Sequence, residues 1–370
     1  MIITKTRALV ATALTTGLLL AGAGTALADP DNSNPGTPPA GKTPTQVWAG
    51  VGADAFAELT NKFAIDYNAT TTASDPVLAS YDAVNPQTAA AGENIVTKPG
   101  CTVARPNGAN GGLSALLLGQ KSTTDSNAYC LDFVRASRAK KTDGTEDSLT
   151  FYAQSRDAVG YATVGNAYAP TTPLTTAQLK DIFECTIEDW SEVGGQKGAI
   201  HVYTQPSSAA TYTFFLSSIG SSIASVTTGC GPNVTLSQQN DGRSLLGDPQ
   251  GIAPYTISKW AAQQNAAPGI PDYRGGATLG LINTAVAPTV TQTLNGVDYQ
   301  VLNPAFSATN SGYSRLFFNA VRTASAPAGL VSLFGPSGYL CTHQNELLVP
   351  FGNTPLGSDT GASTYCGKAY

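Results

Sequence analysis

The sequence predicts an α/β fold of two lobes, and two observations support this prediction. Short apolar stretches that predict strands alternate along the chain with amphipathic stretches that predict helices, which is the pattern of α/β layers with mainly parallel strands. About 325 residues lie between Gln46 and Tyr370, which is long for a single hydrophobic core. We therefore expect a first lobe from residues 46–156 and 260–370 and a second lobe from residues 157–259.

The N-terminus has the pattern of a secretory signal peptide. Lys5 and Arg7 form a short positive region, residues 8–23 are apolar or small, and Ala26-Leu27-Ala28 is a small-x-small cleavage pattern. The apolar run is too short for a membrane span, no Cys follows it to carry a lipid anchor, and no second run of about 18 apolar residues occurs. We expect cleavage after Ala28 and a secreted, extracellular, monomeric protein that does not span a membrane.

The next segment and the net charge narrow the class of protein further. Residues 29–45 are rich in Pro, Gly, Ser, Thr and Asn, which predicts a disordered linker before a fold that begins near Gln46. Removing residues 1–28 takes away two positive charges and no negative ones, so the net charge of −5 becomes −7. An acidic domain without a basic patch lacks the footprint of a nucleic-acid binder, and we expect no nucleic acid partner.

The predicted elements of the first lobe begin with a strand at 47–52, a Gly turn and a helix. The helix is indicated by Phe56, Leu59, Phe63 and Tyr67, spaced at i, i+3, i+7 and i+11. A second Gly-rich turn at 107–112 opens a helix at 113–118, and short strands are predicted at 132–134, 149–153 and 158–164.

The predicted second lobe also alternates strands with helices. A helix at 177–183 has Thr175 or Thr176 as its N-cap. A strand at 199–204 leads through a turn at 205–210 into a helix that continues to Ile219, and another strand is predicted at 251–258. Residues 313–323 are predicted to form a late helix that packs on the first lobe.

Three of these turns, at 50–55, 108–112 and 206–210, place small residues at a helix N-terminus. Such turns present free backbone N–H groups and the positive end of a helix dipole. Several of them meeting at one point would hold an anion.

The order and flanks of the turns resemble those of phosphate-type solute-binding proteins of ABC transporters, in the PBP superfamily. Gly50-Val51-Gly52-Ala53 resembles the family's opening turn, residues 107–112 its second turn, and Asp132-Phe133-Val134-Arg135-Ala136-Ser137 the strand that follows. Leu174–Trp190 resembles the helix-plus-Trp segment of its second lobe, and residues 200–204 and 251–255 the strands after it. The resemblance implies a type II periplasmic-binding-protein fold with hinge crossings near 155–160 and 255–260. It also implies a small anion, most simply phosphate, held between the lobes, and an ABC permease as partner.

The resemblance places the ligand on the three helix N-termini and on one arginine. The candidate ligand-binding residues are Ala53, Asp54, Ala55, Ala109, Asn110, Gly111, Arg138, Thr204, Ser207, Ser208, Ala209 and Ala210. Four of them depart from the family: Thr204 replaces an Arg, Ala210 a Thr, Arg138 an Asp, and Asp54 often a Thr. A buried phosphate dianion without its charged partner loses about 2–5 kcal/mol, or roughly 30- to several-thousand-fold in affinity.

We expect Arg138, with Arg156 as a second candidate, to supply the missing positive charge. Asp54 would then accept a proton-bearing hydroxyl of the ligand and reject a fully deprotonated sulfate. Two alternatives stay open from the residues alone. Asp54 is also a residue type that caps helices, and Arg138 lies in a polar run typical of a solvated surface.

Six Cys in an exported chain predict disulfide bonds. Fifteen pairings are formally possible, and we expect neighbours in the sequence to pair: Cys101–Cys130, Cys185–Cys230 and Cys341–Cys366. Zinc binding is not expected, because there is no C-x-x-C spacing and there are only two His. No cofactor or metal is predicted.

Two other classes of function remain as alternatives. No nucleophile, zinc-protease or phosphate-loop motif occurs, and no catalytic residue is predicted. A carboxylate-pair glycosidase stays open, since its two acidic residues leave no sequence signature. A secreted surface, adhesive or interaction protein that keeps the binding fold also stays open, because a fold alone does not determine function.

Overall fold

A computed structural model describes residues 29–30, 39–88, 90–165, 168–207 and 209–370. The predicted signal peptide, residues 1–28, lies outside the described residues. The strands are β1 Val47–Gly52, β2 Val77–Ser80, β3 Asn94–Lys98, β4 Cys101–Ala104, β5 Phe133–Ala136, β6 Leu149–Val164, β7 His201–Thr204, β8 Val234–Leu236, β9 Gly251–Thr256, β10 Ala277–Leu279, β11 Thr289–Leu294, β12 Val297–Leu302 and β13 Ser314–Arg322. The helices are α1 Ala57–Asn68, α2 Ala109–Leu118, α3 Thr176–Phe183, α4 Ala210–Ser218, α5 Ile223–Cys230, α6 Ile257–Gln264, α7 Pro304–Thr309, α8 Ala328–Phe334, α9 Tyr339–Thr342 and α10 Gln344–Leu348.

Over the described residues, one nine-stranded sheet runs through the protein in the order β2-β1-β5-β13-β6-β9-β7-β8, with β10 paired to β6. Strands β1, β2 and β5 are parallel, as are β7, β8 and β9. Strands β13 and β6 run antiparallel to their neighbours and to each other. The prediction of a mainly parallel sheet is therefore wrong at the centre of the sheet, where β6 leaves the first lobe and β13 returns to it.

Strand β6 joins the lobes. Its residues 149–158 pair with β13, and residues 159–162 pair with β9. The change of partner lies within the predicted first crossing at 155–160. The two strands predicted at 149–153 and 158–164 are thus one strand, because the polar residues between them are buried: Asp157 pairs with Arg315, and Ser155 donates a hydrogen bond to Asn353.

The helix predicted at 313–323 is wrong, since Ser314–Arg322 forms β13. This strand lies in the middle of the sheet and is buried on both faces through most of its length. A continuous buried run carries no alternation that separates a strand from a helix segment.

Residues after β10 pack against the core of the predicted second lobe. Strand β10 pairs with the second-lobe end of β6. Ile282, Leu302, Phe306 and Tyr313 pack into the same core as Trp190 and Phe215. These four residues lie in a segment that the sequence analysis assigned to the first lobe, and β12 in the same segment also bonds to Asn265 and Gly352, so the assignment of this segment to one lobe stays a prediction.

The three predicted disulfide bonds are confirmed. Cys101–Cys130, Cys185–Cys230 and Cys341–Cys366 have Cα–Cα distances of 5.3, 5.1 and 5.5 Å. The helix N-cap at Thr175 is also present, as a capping box with Gln178. Among the described helices, none combines the length and the apolar character needed to cross a bilayer.

The predicted linker contains an ordered residue. Asp29 is 1% exposed, and its carboxylate pairs with Arg105 at 2.7 Å and accepts the N–H of Asp82 at 2.7 Å. Residues 44–46 form a 3-10 helix. These residues differ from the disordered segment predicted for 29–45 because a buried ion pair and a helix turn hold them, whereas residues 31–38 lie outside the described part of the chain.

Candidate functional site

The first predicted turn follows β1 and leads through a 3-10 helix, Asp54–Phe56, into α1. Gly52 has a φ of +125°, and a Cβ there would lie 2.4 Å from the carbonyl oxygen of Arg135, so only glycine fits. The N–H of Ala53 donates to that carbonyl at 2.9 Å, and the Arg135 Nε donates back to the Ala53 carbonyl at 3.2 Å. The Ala53 N–H therefore already has a hydrogen-bond acceptor within the protein. Ala55, two residues further along, is buried.

The second turn begins α2 with Gly108 as N-cap and Ala109 buried. A Cβ on Gly112 would lie 2.9 Å from Gly52 Cα, so the first and second turns touch. Gly111 is less restricted, since a Cβ there would meet Pro106 only at 3.5 Å.

Arg138 lies against this second turn but is already paired. Its Nε donates to the Asn110 Oδ1 at 2.7 Å, and its two terminal nitrogens donate to the Glu146 carboxylate at 3.0 and 2.5 Å. Burial acts to raise the pKa of Glu146, but the hydrogen bonds from Arg138 and from the Lys141 N–H keep that pKa below its usual value. Glu146 thus neutralises Arg138. The second candidate, Arg156, lies on β6, where its backbone pairs with Thr354.

The third turn follows β7 and leads into α4. Thr204 is buried, and its carbonyl accepts the N–H of Ser237 at 2.8 Å. Ser207 is exposed, Ser208 lies outside the described residues, and Ala209 and Ala210 are buried.

The three turns meet at one point. Ala53, Ala55, Ala109 and Ala210 belong to one buried cluster that also contains Phe56 and Phe317. The residues that precede these helices, Ala53, Gly108 and Ala209, make no side-chain cap, unlike Thr175, Ser222 and Asn303 at α3, α5 and α7. Residues of all three turns therefore lie in one cluster packed with alanine and phenylalanine side chains, and their joint use in holding an anion stays a prediction.

A buried arginine that the sequence analysis missed lies beside the third turn. Arg315 Nε donates to Asp157 at 2.9 Å, and its Nη2 donates to the hydroxyls of Thr211 at 3.1 Å and Thr256 at 3.2 Å. Its Nη1 has no hydrogen-bond partner among the described residues. Burial lowers the pKa of Arg315, and Asp157 opposes that shift. Arg315 lies far from its partners in the chain, so no local pattern could have indicated it.

A cavity of about 230 Å³ opens beside the first turn, between the lobes. The first lobe contributes the start of α1 and the loop after β2, and the second lobe contributes the loop after β8. Helix α6 and residues 269–273 close the remaining side of the cavity. The polar and charged lining residues are Asp54, Glu58, Asp82, Asn85, Gln238, Gln239, Asn240, Asp241, Arg243, Lys259, Gln263 and Tyr273. Of the predicted ligand-binding residues that the structure describes, only Asp54 lines this cavity.

Two contacts join different sides of the cavity. Asn240 Nδ2 donates to the Asp54 Oδ2 at 3.1 Å, and Lys259 Nζ forms an ion pair with Glu58. Desolvation acts to lower the pKa of Lys259, but Glu58 and Asp54 raise it overall, so this amine stays charged.

Asp82 has an unusual environment on the same wall. It accepts one side-chain hydrogen bond, from Asn61 Nδ2 at 2.7 Å. Burial first, then the nearby charges of Glu58 and Asp29, raise the pKa of Asp82 to about 8. No group of three or more His, Cys, Asp or Glu in the described part of the chain is arranged to hold a metal ion.

Comparison with known proteins identifies the family. A family model described as a PBP superfamily domain matches residues 40–321, which is most of the chain. The protein belongs to the PBP superfamily. No curated protein matches it in sequence.

Two solved structures share the fold of this PBP superfamily protein. One is a phosphate ABC transporter substrate-binding protein with bound phosphate from Clostridium perfringens, with a TM-score of 0.55, 14% identity, and coverage of 83% of this chain and 98% of that chain. The other is an ABC-type phosphate transport receptor from Vibrio cholerae, with a TM-score of 0.53, 15% identity, and coverage of 83% and 99%. At these identities the likeness concerns the fold, and the chemistry of the cleft has to be argued from this chain's own residues.

Proposed function

We propose that this PBP superfamily protein captures a small solute between its two lobes and presents it to an ABC permease. The observation that carries the proposal is the cavity of about 230 Å³ with walls from both lobes. Ligand sites commonly lie in clefts between lobes and combine apolar walls with a few convergent polar groups. Here Val84, Pro86 and Ile270 supply apolar surface among the polar lining residues.

The contacts across the cavity support a site that opens and closes. The Asn240–Asp54 hydrogen bond joins the loop after β8 to the first turn, and the Lys259–Glu58 ion pair joins α6 to α1. Entry of a solute has to loosen these contacts, and binding has to replace them with contacts to the solute. Strand β6 connects the lobes during this movement.

Phosphate is the first solute to test, on two grounds. Both matched structures are named for phosphate transport, and three helix N-termini without side-chain caps converge in this fold. The sequence-based proposal that Arg138 pairs with the anion requires displacement of Glu146 from Arg138. Arg315 is also paired with a carboxylate, that of Asp157, and it does not line the cavity, but its Nη1 has no hydrogen-bond partner among the described residues and lies next to the first turn of α4.

Export is part of the proposal. The pattern of Lys5, Arg7 and Ala26-Leu27-Ala28 supports a signal peptide cleaved after Ala28, and a solute-binding protein acts outside the cytoplasmic membrane. N-terminal sequencing of the protein recovered from the medium tests this directly. A first residue other than Asp29 would contradict the predicted cleavage site.

Calorimetric titration tests the proposed capture of a solute. The purified protein is titrated with phosphate, sulfate, phosphonates, amino acids, amines and small sugars, and micromolar or tighter binding of one class is expected. Val84→Trp fills the cavity and should abolish that binding. Val290→Trp, on the exposed hairpin of β11 and β12, is the matched control and should leave it unchanged.

The result that would refute the proposal is equally specific. Silence with every solute, from a protein whose melting transition is cooperative, would favour the surface or adhesive alternative. Binding that survives in the Val84→Trp variant would mean that the solute occupies another place in the fold.

A further inference from the structure

We propose that Asp29, the first residue after the predicted cleavage, holds in place a loop that lines the solute cavity, so that the site of processing sets solute affinity. The inference rests on the proposed function, because it names a positioning residue for the same cavity and uses the predicted cut after Ala28. It is carried by the contacts of Asp29 with Arg105, 76 residues further along the chain, and by the backbone groups that both side chains bind.

Asp29 and Arg105 form a fully buried ion pair. Both side chains are 0% exposed. Two hydrogen bonds join them: Arg105 Nη1 donates to Asp29 Oδ1 at 3.1 Å, and Nη2 donates to Asp29 Oδ2 at 2.7 Å. Pairing of a carboxylate with two guanidinium nitrogens fixes the geometry of both groups as well as balancing their charge. Asp29 is therefore docked in the fold, although its neighbours in the sequence are typical of a disordered linker.

The same two side chains hold the backbone of residues 82–86, here called the cavity loop. The cavity loop forms no helix or strand, and four of its residues line the cavity of about 230 Å³. Asp29 Oδ1 accepts the N–H of Asp82 at 2.7 Å. Arg105 Nη1 donates to the carbonyl of Asp82 at 3.0 Å and to that of Val84 at 3.4 Å. The position of this part of the cavity wall thus depends on the buried pair.

Arg105 in turn depends on Asp29 to balance its charge. The other carboxylate paired with Arg105 among the described residues is that of Glu93, whose side chain is 34% exposed. Burial acts to lower the pKa of Arg105, but Asp29 and then Glu93 raise it overall, so the guanidinium stays charged. An unpaired buried charge is costly, so without Asp29 the guanidinium would shift toward Glu93 and solvent. Its hydrogen bonds to the cavity loop would then loosen.

A second contact anchors the N-terminal segment independently of Asp29. Lys42 Nζ donates to the carbonyls of Ala73 at 2.9 Å and Asp75 at 2.8 Å, between α1 and β2. Neither of these two residues lines the cavity. Because Lys42 holds the segment at another place, the contribution of Asp29 can be measured separately from that of the segment as a whole.

Asp29 is also the residue that a small shift of the cut would remove. The predicted signal peptidase site lies between Ala28 and Asp29. A cut one residue later leaves a chain that begins at Pro30, which keeps every residue that lines the cavity but lacks the buried carboxylate. We therefore expect the two cuts to give proteins with different solute affinities.

Hydrogen–deuterium exchange followed by mass spectrometry tests the inference without any solute. Amides of the cavity loop should exchange at least tenfold faster in Asp29→Ala and in a chain that begins at Pro30, because the loop opens locally. The amides of β9 should exchange as they do in the unmodified protein. Asp29→Asn keeps an oxygen that accepts the N–H of Asp82, so its exchange should lie between the two. This milder variant also guards against a folding defect in Asp29→Ala.

Titration calorimetry measures the effect on the cavity. Inorganic phosphate is the first probe, followed by the other solutes of the panel above. The solute that binds the unmodified protein should bind at least tenfold more weakly to Asp29→Ala. Lys42→Met removes the second anchor and is the matched control. It should leave both the cavity loop and the solute affinity unchanged.

The outcomes separate this inference from the proposed function. A cavity loop that stays protected in Asp29→Ala overturns the inference, and so does equally fast exchange of the loop in Lys42→Met. Faster exchange of β9 together with the loop would indicate a general loss of stability and overturns it as well. Fast loop exchange with unchanged solute affinity refutes the link to processing. Silence of the unmodified protein with every solute refutes the proposed function, while loop exchange still decides whether Asp29 holds the loop.

Discussion

Replacing Arg315 by Met should cost the fold about 3–5 kcal/mol of unfolding free energy. The side chains of Arg315 and Asp157 are 2% and 0% exposed and form an ion pair at 2.9 Å between β13 and β6. Removing one partner of such a pair leaves an uncompensated buried charge, and that is the source of the cost. The Arg315→Met variant also loses the hydrogen bonds to Thr211 and Thr256, so the junction of β6, β9, α4 and β13 weakens at once.

A double-mutant cycle isolates the pair from these other contacts. Asp157→Leu alone should destabilise by a similar amount, because Arg315 then stays buried without its carboxylate. The combined Asp157→Leu/Arg315→Met variant should cost about 2–3 kcal/mol less than the sum of the two single losses, which is the coupling energy of the pair. Urea unfolding followed by tryptophan fluorescence gives each free energy.

Lys62→Met is the matched control, since Lys62 forms a half-buried i,i+4 pair with Asp66 at the protein surface on α1. Pairs of that kind contribute about 0.3–0.5 kcal/mol. If Arg315→Met costs no more than Lys62→Met, or if the double variant is simply additive, then the ion pair does not hold the junction and the reasoning fails.

Three further predictions concern titration, disulfide bonds and Arg138. The pKa of Asp82 is raised to about 8 from 3.8, so between about pH 4 and pH 8 the folded state keeps a proton that the unfolded state has lost. Asp82 therefore lowers the free energy of unfolding as the pH rises through this window. Asp82→Asn should flatten this dependence in urea unfolding at several pH values, and an unchanged slope would contradict the assignment. Replacing Cys185 and Cys230 by Ser, which opens a loop with a sequence separation of 45, should cost about 4 kcal/mol by urea unfolding, and a loss below about 1 kcal/mol would show that the bond constrains little. Arg138→Ala leaves Glu146 buried without its cation and should lower the free energy of unfolding by about 3–5 kcal/mol. Solute affinity measured by calorimetry should stay the same. A tenfold loss of anion affinity would instead favour Arg138 as a ligand-binding residue.

The sequence located most local elements and few long-range contacts. The strand–turn–helix units were recognisable because glycine and alanine turns stand next to helices with a clear 3.6-residue period. The helix cap at Thr175 and the three disulfide bonds were also predicted, the latter by pairing neighbours along the chain. These features depend on residues that are close in the sequence.

What the sequence missed depends on residues that are distant in the chain. Asp82, Gln239 and Lys259 meet in the cavity only because the lobes face each other, and no motif links their positions. The polar run around Asp157 interrupted the apolar pattern of β6, since its burial depends on Arg315, 158 residues further along the chain. Burial of charge is decided by the tertiary partner, and a single sequence does not reveal that partner.

Strand β6 also constrains how one lobe could rotate against the other. Its 16 residues extend for about 53 Å at 3.3 Å per residue, and hydrogen bonds to β13 and then to β9 hold it along this length. A rotation of one lobe against the other would have to twist this paired strand, because the connection is not a flexible loop. A wide rotation of the lobes would require the backbone hydrogen bonds near Ala158 and Val159 to break, because β6 changes its pairing partner there from β13 to β9.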